Sequence, residues 1–178
     1  MNFNLKKEQI HFTIDDDKLP LSGKHNMINT MAAVLAAKAL GLDEQRFVGA
    51  MADFKNASHR LEDAGELNRV RFINDSKATN VDSVWYALDS FKEPIVLIAG
   101  GVDRGNDYSQ IEPLVKEKVK ALICMGKDNS KLIQYFEGKV PVILDTHSIN
   151  EAVQNAYKQA QDGDVVLLSP ACASFDLL

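Results

Sequence analysis

From residue 67 onward, short apolar runs rich in β-branched residues alternate with longer amphipathic stretches. Strands that alternate with helices form βαβ units, so this order predicts an α/β domain with a mainly parallel sheet. Two of the runs, 95–99 and 165–168, are continuously apolar, which is typical of strands covered by helices on both faces. The predicted strands cover 70–74, 95–99, 121–125, 142–144 and 165–168, and the predicted helices cover 81–91, 108–119, 130–136 and 149–161.

The first 57 residues follow a different pattern. The predicted elements are a strand or hairpin over 3–14, an alanine-rich helix over 28–40 and a second helix over 44–54. Gly41 is a typical helix stop, and Asp43 is a typical cap for the second helix. Two helices and a strand are too few for an independent core. We therefore expect residues 1–57 to be the last part of a larger domain and residues 58–178 to form a second domain.

Composition excludes several classes of protein. The net charge of -5 and the lack of a basic stripe argue against binding to nucleic acid. No apolar run is long enough to span a membrane, and the chain does not open with a signal peptide. The two cysteines, Cys124 and Cys172, lie in apolar runs outside any CxxC motif, which favours buried packing thiols over catalytic ones. We expect a cytoplasmic protein.

Polar and glycine-rich segments follow each predicted strand. They cover 74–80, 100–105, 126–128, 145–147 and 169–174. In an open parallel sheet, the carboxyl ends of the strands lie at one edge, where ligands bind. Cations, hydroxyl groups and glycine-rich backbone at one edge are suited to holding anions.

Each segment also has a purely structural interpretation. Gly100 and Gly101 form a tight turn in most proteins, and Asp75 or Thr79 would serve as a helix cap. A solvated Lys77 beside Asp75 is common as well. Only the whole set favours a ligand site. The sequence contains no Walker A motif, so nothing in it predicts a triphosphate cradle of its own.

Four motifs occur in order along the chain, and together they resemble those of the Mur ligase family. They are Gly23-x-His25-Asn26-x-x-Asn29, His59-Arg60-x-Glu62, Asn74-Asp75-Ser76-Lys77-Ala78-Thr79-Asn80 and Leu168-Ser169-Pro170-Ala171-Cys172-Ala173-Ser174-Phe175-Asp176. The first is shared across the superfamily, including folylpolyglutamate synthetases. The third and fourth are narrower and point to the branch that adds D-glutamate.

The resemblance implies a three-domain enzyme of peptidoglycan synthesis. Its central domain binds ATP and Mg²⁺ through a P-loop, and a Rossmann-like C-terminal domain brings the amino acid. The implied substrates are ATP, UDP-N-acetylmuramoyl-L-alanine and D-glutamate, joined through an acyl phosphate. On this basis residues 1–57 are the end of the central ATP-binding domain and residues 58–178 the C-terminal domain, truncated at its end. The UDP-binding domain, the P-loop and most of the Mg²⁺ site then lie outside the chain. We expect a monomer that is inactive alone.

The resemblance also implies roles for individual residues. Nucleotide contacts are implied for Asn26, Asn29, His59, Arg60, Asp75 and Lys77, of which His59, Arg60 and Lys77 also take a catalytic role. D-glutamate contacts are implied for Thr79, Arg104 and Ser174. No metal ligand is implied within this chain. The family has lysine where Arg104 stands, and the two cations bind carboxylates with different geometry.

Other classes of protein stay open on the residues alone. A sister ligase of the Mur or folylpolyglutamate type would share the superfamily motif but carry different residues at 75–80. A non-catalytic nucleotide-binding α/β module, with Asp75 as a phosphate acceptor, would not need the Gly23–Asn29 motif. A Rossmann dehydrogenase would need a GxGxxG fingerprint, which the sequence lacks.

Overall fold

The computed structural model describes residues 24–43, 46, 50, 54 and 57–173. The chain divides into two compact units between Lys55 and Asn56. In the first unit, the described element is helix α1, Lys24–Ala39. It is the longest described helix, and no helix in the described ranges is long and apolar enough to cross a membrane. The assignment of the two units to parts of a larger enzyme stays a prediction.

Helix α1 ends where its sequence predicts. Gly41 has φ +75°, a left-handed conformation that favours glycine. The Gly41 N–H donates to the Lys38 carbonyl, and the Leu42 N–H donates to the Ala37 carbonyl. This pair of bonds is a Schellman motif, which satisfies the last carbonyls of the helix. The helix begins four residues before the predicted 28–40, while the predicted hairpin of 3–14 and nearly all of the predicted helix 44–54 lie outside the described residues.

The second unit is a six-stranded sheet with strand order β1-β2-β6-β3-β4-β5. All neighbouring strands are parallel except the pair of β1 and β2. The predicted mainly parallel sheet is thus confirmed. The elements are β1 Glu62–Leu67, β2 Val70–Asn74, α2 Val81–Asp89, β3 Ile95–Gly100, α3 Glu112–Lys118, β4 Val119–Met125, α4 Ser130–Phe136, β5 Val142–Thr146, α5 Ile149–Gln159 and β6 Val165–Ala171.

The core lies on both faces of the sheet because side chains alternate along each strand. All six residues of β3 are buried. Its residues Ile95, Leu97 and Ala99 share one buried cluster with residues of α2, α3 and α4. Val96 and Ile98 share the opposite cluster with Ala152 and Ala156 of α5. The continuously apolar runs therefore mark doubly covered strands, as predicted.

The antiparallel edge strand β1 was not predicted from the sequence. Three of its six residues, EDAGEL, are charged, and five of the six are exposed. It pairs with β2 through a two-residue turn in which Asn68 and Arg69 both have positive φ. Charged residues on an edge strand disfavour pairing with a second sheet. The hydrophobic pattern missed β1 because backbone pairing, and not burial of its side chains, holds it.

The helix predicted over 108–119 is divided. A 3₁₀ helix, Tyr108–Gln110, precedes α3, and Val119 already belongs to β4. Pro113 lies in the first turn of α3. Proline has no N–H to donate to an earlier carbonyl, so it is tolerated at a helix start but disrupts a helix interior. The chain therefore starts a new helix just before Pro113.

Candidate functional site

The loops that follow the five parallel strands meet at one edge of the sheet, as predicted. Strand β6 lies between β2 and β3. Neighbouring strands are about 4.8 Å apart, so the β2 loop (75–80) and the β3 loop (101–107) flank the tip of β6 at a separation of about 10 Å. This edge contains Asp75, Lys77, Thr79 and Arg104, which the sequence singled out.

Asp75 begins the β2 loop as a buried carboxylate, 6% exposed. Its Oδ1 accepts from the Leu61 N–H at 3.2 Å, and its Oδ2 accepts from the Ser169 hydroxyl at 2.9 Å. Burial raises the pKa of Asp75, while the bonds from Ser169 and Leu61 and the nearby charge of Arg60 act in the opposite direction. Each carboxylate oxygen can accept more than one bond, so these contacts leave part of its acceptor capacity unused.

The segment His59–Arg60–Leu61 is held against the same loop. The Lys77 N–H donates to the His59 carbonyl at 3.2 Å, and Asn74 Nδ2 lies 2.9 Å from His59 Nδ1. His59 and Leu61 have positive φ, at 65° and 44°. A non-glycine residue rarely adopts this conformation. The structure thus places His59 and Arg60, at the start of the second unit, beside the β2 loop.

Lys77 and Thr79 are both exposed. Within the described part of the chain, neither side chain has a hydrogen bond or an ion pair. Their backbone is well anchored, because the Ala78 N–H donates to the Asp75 carbonyl and the Ala78 carbonyl accepts from the Ala171 N–H. A lysine on anchored backbone, with its ammonium in solvent, is suited to meet a phosphate or carboxylate.

Arg104 lies at the apex of the β3 loop and is exposed. The preceding residue, Asp103, closes the loop by accepting from the backbone N–H groups of Gly105 at 2.7 Å and Asn106 at 3.0 Å. Burial opposes ionisation of Asp103, but bonds from Tyr108, Lys131 and the loop backbone outweigh it and lower its pKa to about 2. Asp103 is therefore ionised at neutral pH, and its charge is directed into the loop rather than toward solvent.

Ala171, at the end of β6, connects the two flanking loops. Its N–H donates to the Ala78 carbonyl at 2.9 Å, and its carbonyl accepts from Asn106 Nδ2 at 2.9 Å. Ala171 has φ +62° and is 1% exposed. This conformation is costly for alanine and is found where the surrounding structure enforces it. One residue thus sets the spacing between the loop with Thr79 and the loop with Arg104.

Three of the predicted site residues lie outside the described part of the second unit. Ser174 lies outside the described residues. Asn26 and Asn29 belong to α1 in the first unit, where Asn26 is buried and Asn29 is exposed. Residues three positions apart lie on neighbouring parts of one helix face. The nucleotide contacts implied for Asn26 and Asn29 stay predictions.

Sequence reasoning missed the residues that hold the β3 loop in place, chiefly Asn106 and Lys131. Asn106 follows the glycine-rich segment directly, and its amide was available as a signal for a loop anchor. Lys131 lies in the helical stretch 130–136, and nothing in its local sequence indicates a contact with residue 103, 28 positions away.

The two cysteines are buried, as predicted. Burial raises the pKa of Cys124 to about 12, and burial also raises the pKa of Cys172. Thiols with raised pKa values stay protonated at neutral pH and are poor nucleophiles. The packing role therefore holds for both.

The fold and its loops define a Rossmann-like α/β domain whose ligand edge lies at the carboxyl ends of the parallel strands. Two solved structures share this fold. A folylpolyglutamate synthase of Mycobacterium tuberculosis, complexed with ADP and AMPPCP, aligns with a TM-score of 0.68 and 16% identity over 86% of this chain and 39% of that chain. The UDP-N-acetylmuramate-alanine ligase MurC of Thermotoga maritima aligns with a TM-score of 0.66 and 17% identity over 86% of this chain and 36% of that chain.

Sequence comparison is more specific than the fold. Residues 59–172 match the family model described as Mur ligase, glutamate ligase domain. The UDP-N-acetylmuramoylalanine–D-glutamate ligase of Cytophaga hutchinsonii is 58% identical over 93% of this chain, and that of Porphyromonas gingivalis is 54% identical over 93%. The chain belongs to the Mur ligase family. It spans 37% of the length of these two relatives.

Proposed function

We propose that this chain is the C-terminal part of an ATP-dependent ligase that joins D-glutamate to UDP-N-acetylmuramoyl-L-alanine in peptidoglycan synthesis. The observation that carries the proposal is the 58% identity to a D-glutamate ligase over 93% of the chain. In this proposal, residues 1–57 end the central ATP-binding domain and residues 58–178 form the domain that delivers the amino acid. The ligase acts as a monomer in the cytoplasm.

The proposed reaction has two steps. The alanyl carboxylate attacks the γ-phosphorus of ATP, which forms an acyl phosphate and releases ADP. The amine of D-glutamate then attacks the acyl carbon, the amine loses a proton, and inorganic phosphate leaves as the amide forms. Both steps depend on the alignment of reactants and on stabilisation of negative charge. The cationic side chains of this chain are suited to stabilising the negative charge.

Exposed cations at the edge of the sheet support the nucleotide roles. Lys77 extends from anchored backbone and would meet the phosphates, with His59 and Arg60 beside it. Asp75 would accept from the ribose hydroxyl groups, and Asn26 and Asn29 would contact the adenine. In the described residues, no group of three or more His, Cys, Asp and Glu side chains is placed to hold a metal ion. The proposal assigns the Mg²⁺ that accompanies ATP to the rest of the ligase because the family resemblance implies a metal site there.

The amino-acid site is proposed between the β2 loop, the tip of β6 and the β3 loop. Thr79 would donate a hydroxyl, Arg104 would bind one carboxylate of D-glutamate, and Ser174 would bind the other with backbone N–H groups. Arginine binds a carboxylate through two parallel hydrogen bonds, which supports this role for an exposed guanidinium. A dianionic substrate accounts for a cation on one side and hydroxyl groups on the other.

A chimaera tests this function. The part of the Cytophaga hutchinsonii ligase that matches this chain is replaced by the chain, and phosphate release is measured. We expect release that requires ATP, UDP-N-acetylmuramoyl-L-alanine and D-glutamate, with no activity on L-glutamate. Lys77→Ala should lower the rate at least about 100-fold, since it removes a charge that acts on the transition state. Lys92→Ala, at an exposed lysine that precedes β3 at the opposite edge of the sheet, is the matched control.

Two results would contradict the proposal. Phosphate release with a different amino acid would assign the chain to a sister ligase. An unchanged rate in Lys77→Ala, with D-glutamate still required, would remove Lys77 from the site. The 178-residue chain alone should show no ATP turnover that depends on D-glutamate.

A further inference from the structure

The β3 loop is a closed turn with Arg104 at its apex. Asp103 Oδ1 accepts from two backbone N–H groups of the loop, those of Gly105 and Asn106. Its Oδ2 accepts from the Tyr108 hydroxyl at 2.7 Å. The side chain of Arg104 therefore extends from a loop whose backbone is tied to a single ionised carboxylate.

Lys131 ties this loop to helix α4. Its Nζ donates to Asp103 Oδ1 at 3.0 Å and to the Asn106 carbonyl at 2.9 Å. Side chains of Asp103 and Lys131 are 19% and 51% exposed. An ion pair this close to solvent contributes little to the stability of the fold. The bond from Lys131 to the Asn106 carbonyl, however, fixes the orientation of that peptide group.

Asn106 ties the same loop to the tip of β6. Its Nδ2 donates to the Ala171 carbonyl at 2.9 Å and lies 3.2 Å from Cys172 Sγ. A second connection runs close by, because the Val102 N–H donates to the Ala173 carbonyl at 2.9 Å. The Ala171 N–H is in turn bonded to the β2 loop. Asn106 is the side chain through which the loop of Arg104 is linked to Ala171, and Ala171 is linked to the loop of Thr79.

We propose that Asn106 is a positioning residue for the amino-acid site, because it holds the Arg104 loop at a set distance from the tip of β6 before any ligand binds. The proposal rests on the function proposed above, which places D-glutamate between these loops. The Asn106 amide nitrogen lies beside two acceptors, the carbonyl oxygen of Ala171 at the end of β6 and the sulfur of Cys172, the next residue. Aspartate at this position has nearly the same shape but no hydrogen to donate, and its charge would face the Ala171 carbonyl.

The variant Asn106→Asp tests the link directly, with Asn150→Asp on the exposed face of α5 as the matched control. In the ¹⁵N-labelled 178-residue chain, we expect hydrogen exchange of the Val102 amide to rise about tenfold in Asn106→Asp, and exchange of the core amide of Ile98 to stay unchanged. A tenfold change corresponds to about 1.4 kcal/mol, which matches the loss of about one hydrogen bond. Asn150→Asp should change neither amide.

Binding of D-glutamate to the same proteins gives the second measurement, with L-glutamate as the ligand control. We expect chemical shifts of the Thr79 and Arg104 amides to titrate with D-glutamate, and the dissociation constant to rise about tenfold in Asn106→Asp. The conservative variant Asn106→Gln, which retains both donors, should recover part of the affinity. A residue that only stabilised the fold would lower the unfolding midpoint and leave the dissociation constant unchanged.

The two proposals can fail separately. If the unaltered chain binds D-glutamate and Asn106→Asp binds it equally well, with Val102 exchange unchanged, the role of Asn106 is overturned while the function stands. If the unaltered chain shows no shifts with D-glutamate, the assigned site residues lose support, and exchange at Val102 still decides whether Asn106 holds the loop. Faster exchange at Val102 supports the link, and unchanged exchange overturns it.

Discussion

Two aspartates follow two strands of the same sheet edge, and their environments shift their pKa values in opposite directions. Asp75, after β2, is 6% exposed and makes two side-chain hydrogen bonds. Burial raises its pKa. Asp103, after β3, is closer to solvent and accepts from four donors. Although burial opposes ionisation there too, those bonds lower its pKa to about 2.

The difference shows that the direction of each pKa shift depends on two opposing factors. Burial raises the pKa of a carboxyl group, and hydrogen-bond donors lower it. Asp75 is a buried connector that joins the β2 loop to Leu61 and Ser169. Asp103 is a charged centre around which the Arg104 loop folds. A motif that contains aspartate after a strand does not distinguish these two roles, because the donors come from distant parts of the chain.

The largest effect is expected for Asp75→Ala. This change leaves the buried Ser169 hydroxyl and the partly buried Leu61 N–H without their partner, and each such group costs about 1–3 kcal/mol. We expect the free energy of unfolding to fall by about 3 kcal/mol in urea titrations of the 178-residue chain. In Asp75→Asn, the amide oxygen accepts from Leu61 and the amide nitrogen donates to Ser169, so the loss should be less than about 1 kcal/mol. A similar loss in both variants would mean that the charge of Asp75 is required.

A smaller effect is expected for Asp103→Asn, in which the free energy of unfolding at pH 7 should fall by about 2 kcal/mol. The folded pKa of about 2 lies below the ordinary value of 3.8, so the ionised form stabilises the folded state. Each pKa unit of difference between the folded and unfolded states corresponds to about 1.4 kcal/mol in the free energy of unfolding. This stabilisation is complete above about pH 5 and is lost as the pH falls toward 2.

Unfolding titrations at pH 7 and pH 3 check the sign of the Asp103 effect. The difference between the original chain and Asp103→Asn should shrink at pH 3, because the carboxylate of the unfolded chain is then mostly protonated while the folded chain is becoming so. A difference that grew at low pH would contradict the lowered pKa of Asp103.

The smallest effect is expected for Lys131→Met. The change removes a half-exposed ion pair with Asp103 and the ammonium group, whose Nζ lies 5.5 Å from the centre of the Tyr108 ring, but it keeps most of the aliphatic side chain. Exposed ion pairs contribute about 0.5 kcal/mol, which corresponds to a shift of about 1–2 °C in Tm for a chain of this size. Scanning calorimetry measures this shift. A fall of more than about 5 °C would show that Asp103 depends on this one cation more than on its backbone donors.

The sheet was largely predictable because hydrophobic periodicity is a local property. The strands over 70–74 and 95–99 were predicted correctly or to within one residue. The stop at Gly41 was also visible, since a single residue type supplies the left-handed conformation. Strand β1 was not predictable in this way, because its charged residues carry no periodic apolar signal. Pro113 was visible in the sequence, but only the structure shows that it divides the predicted helix.

By itself, the sequence determined the α/β class, the edge at which the strand loops meet, and the motifs that the Mur ligase family shares. Each of these depends on residues close together in the chain. The tertiary structure alone decided that Asp75 is buried while Asp103 is charged, and that Asn106 bonds to Ala171 across 65 residues. Hydrogen-bond partners at such separations are set by strand order, and strand order follows from how the apolar faces pack rather than from any local pattern.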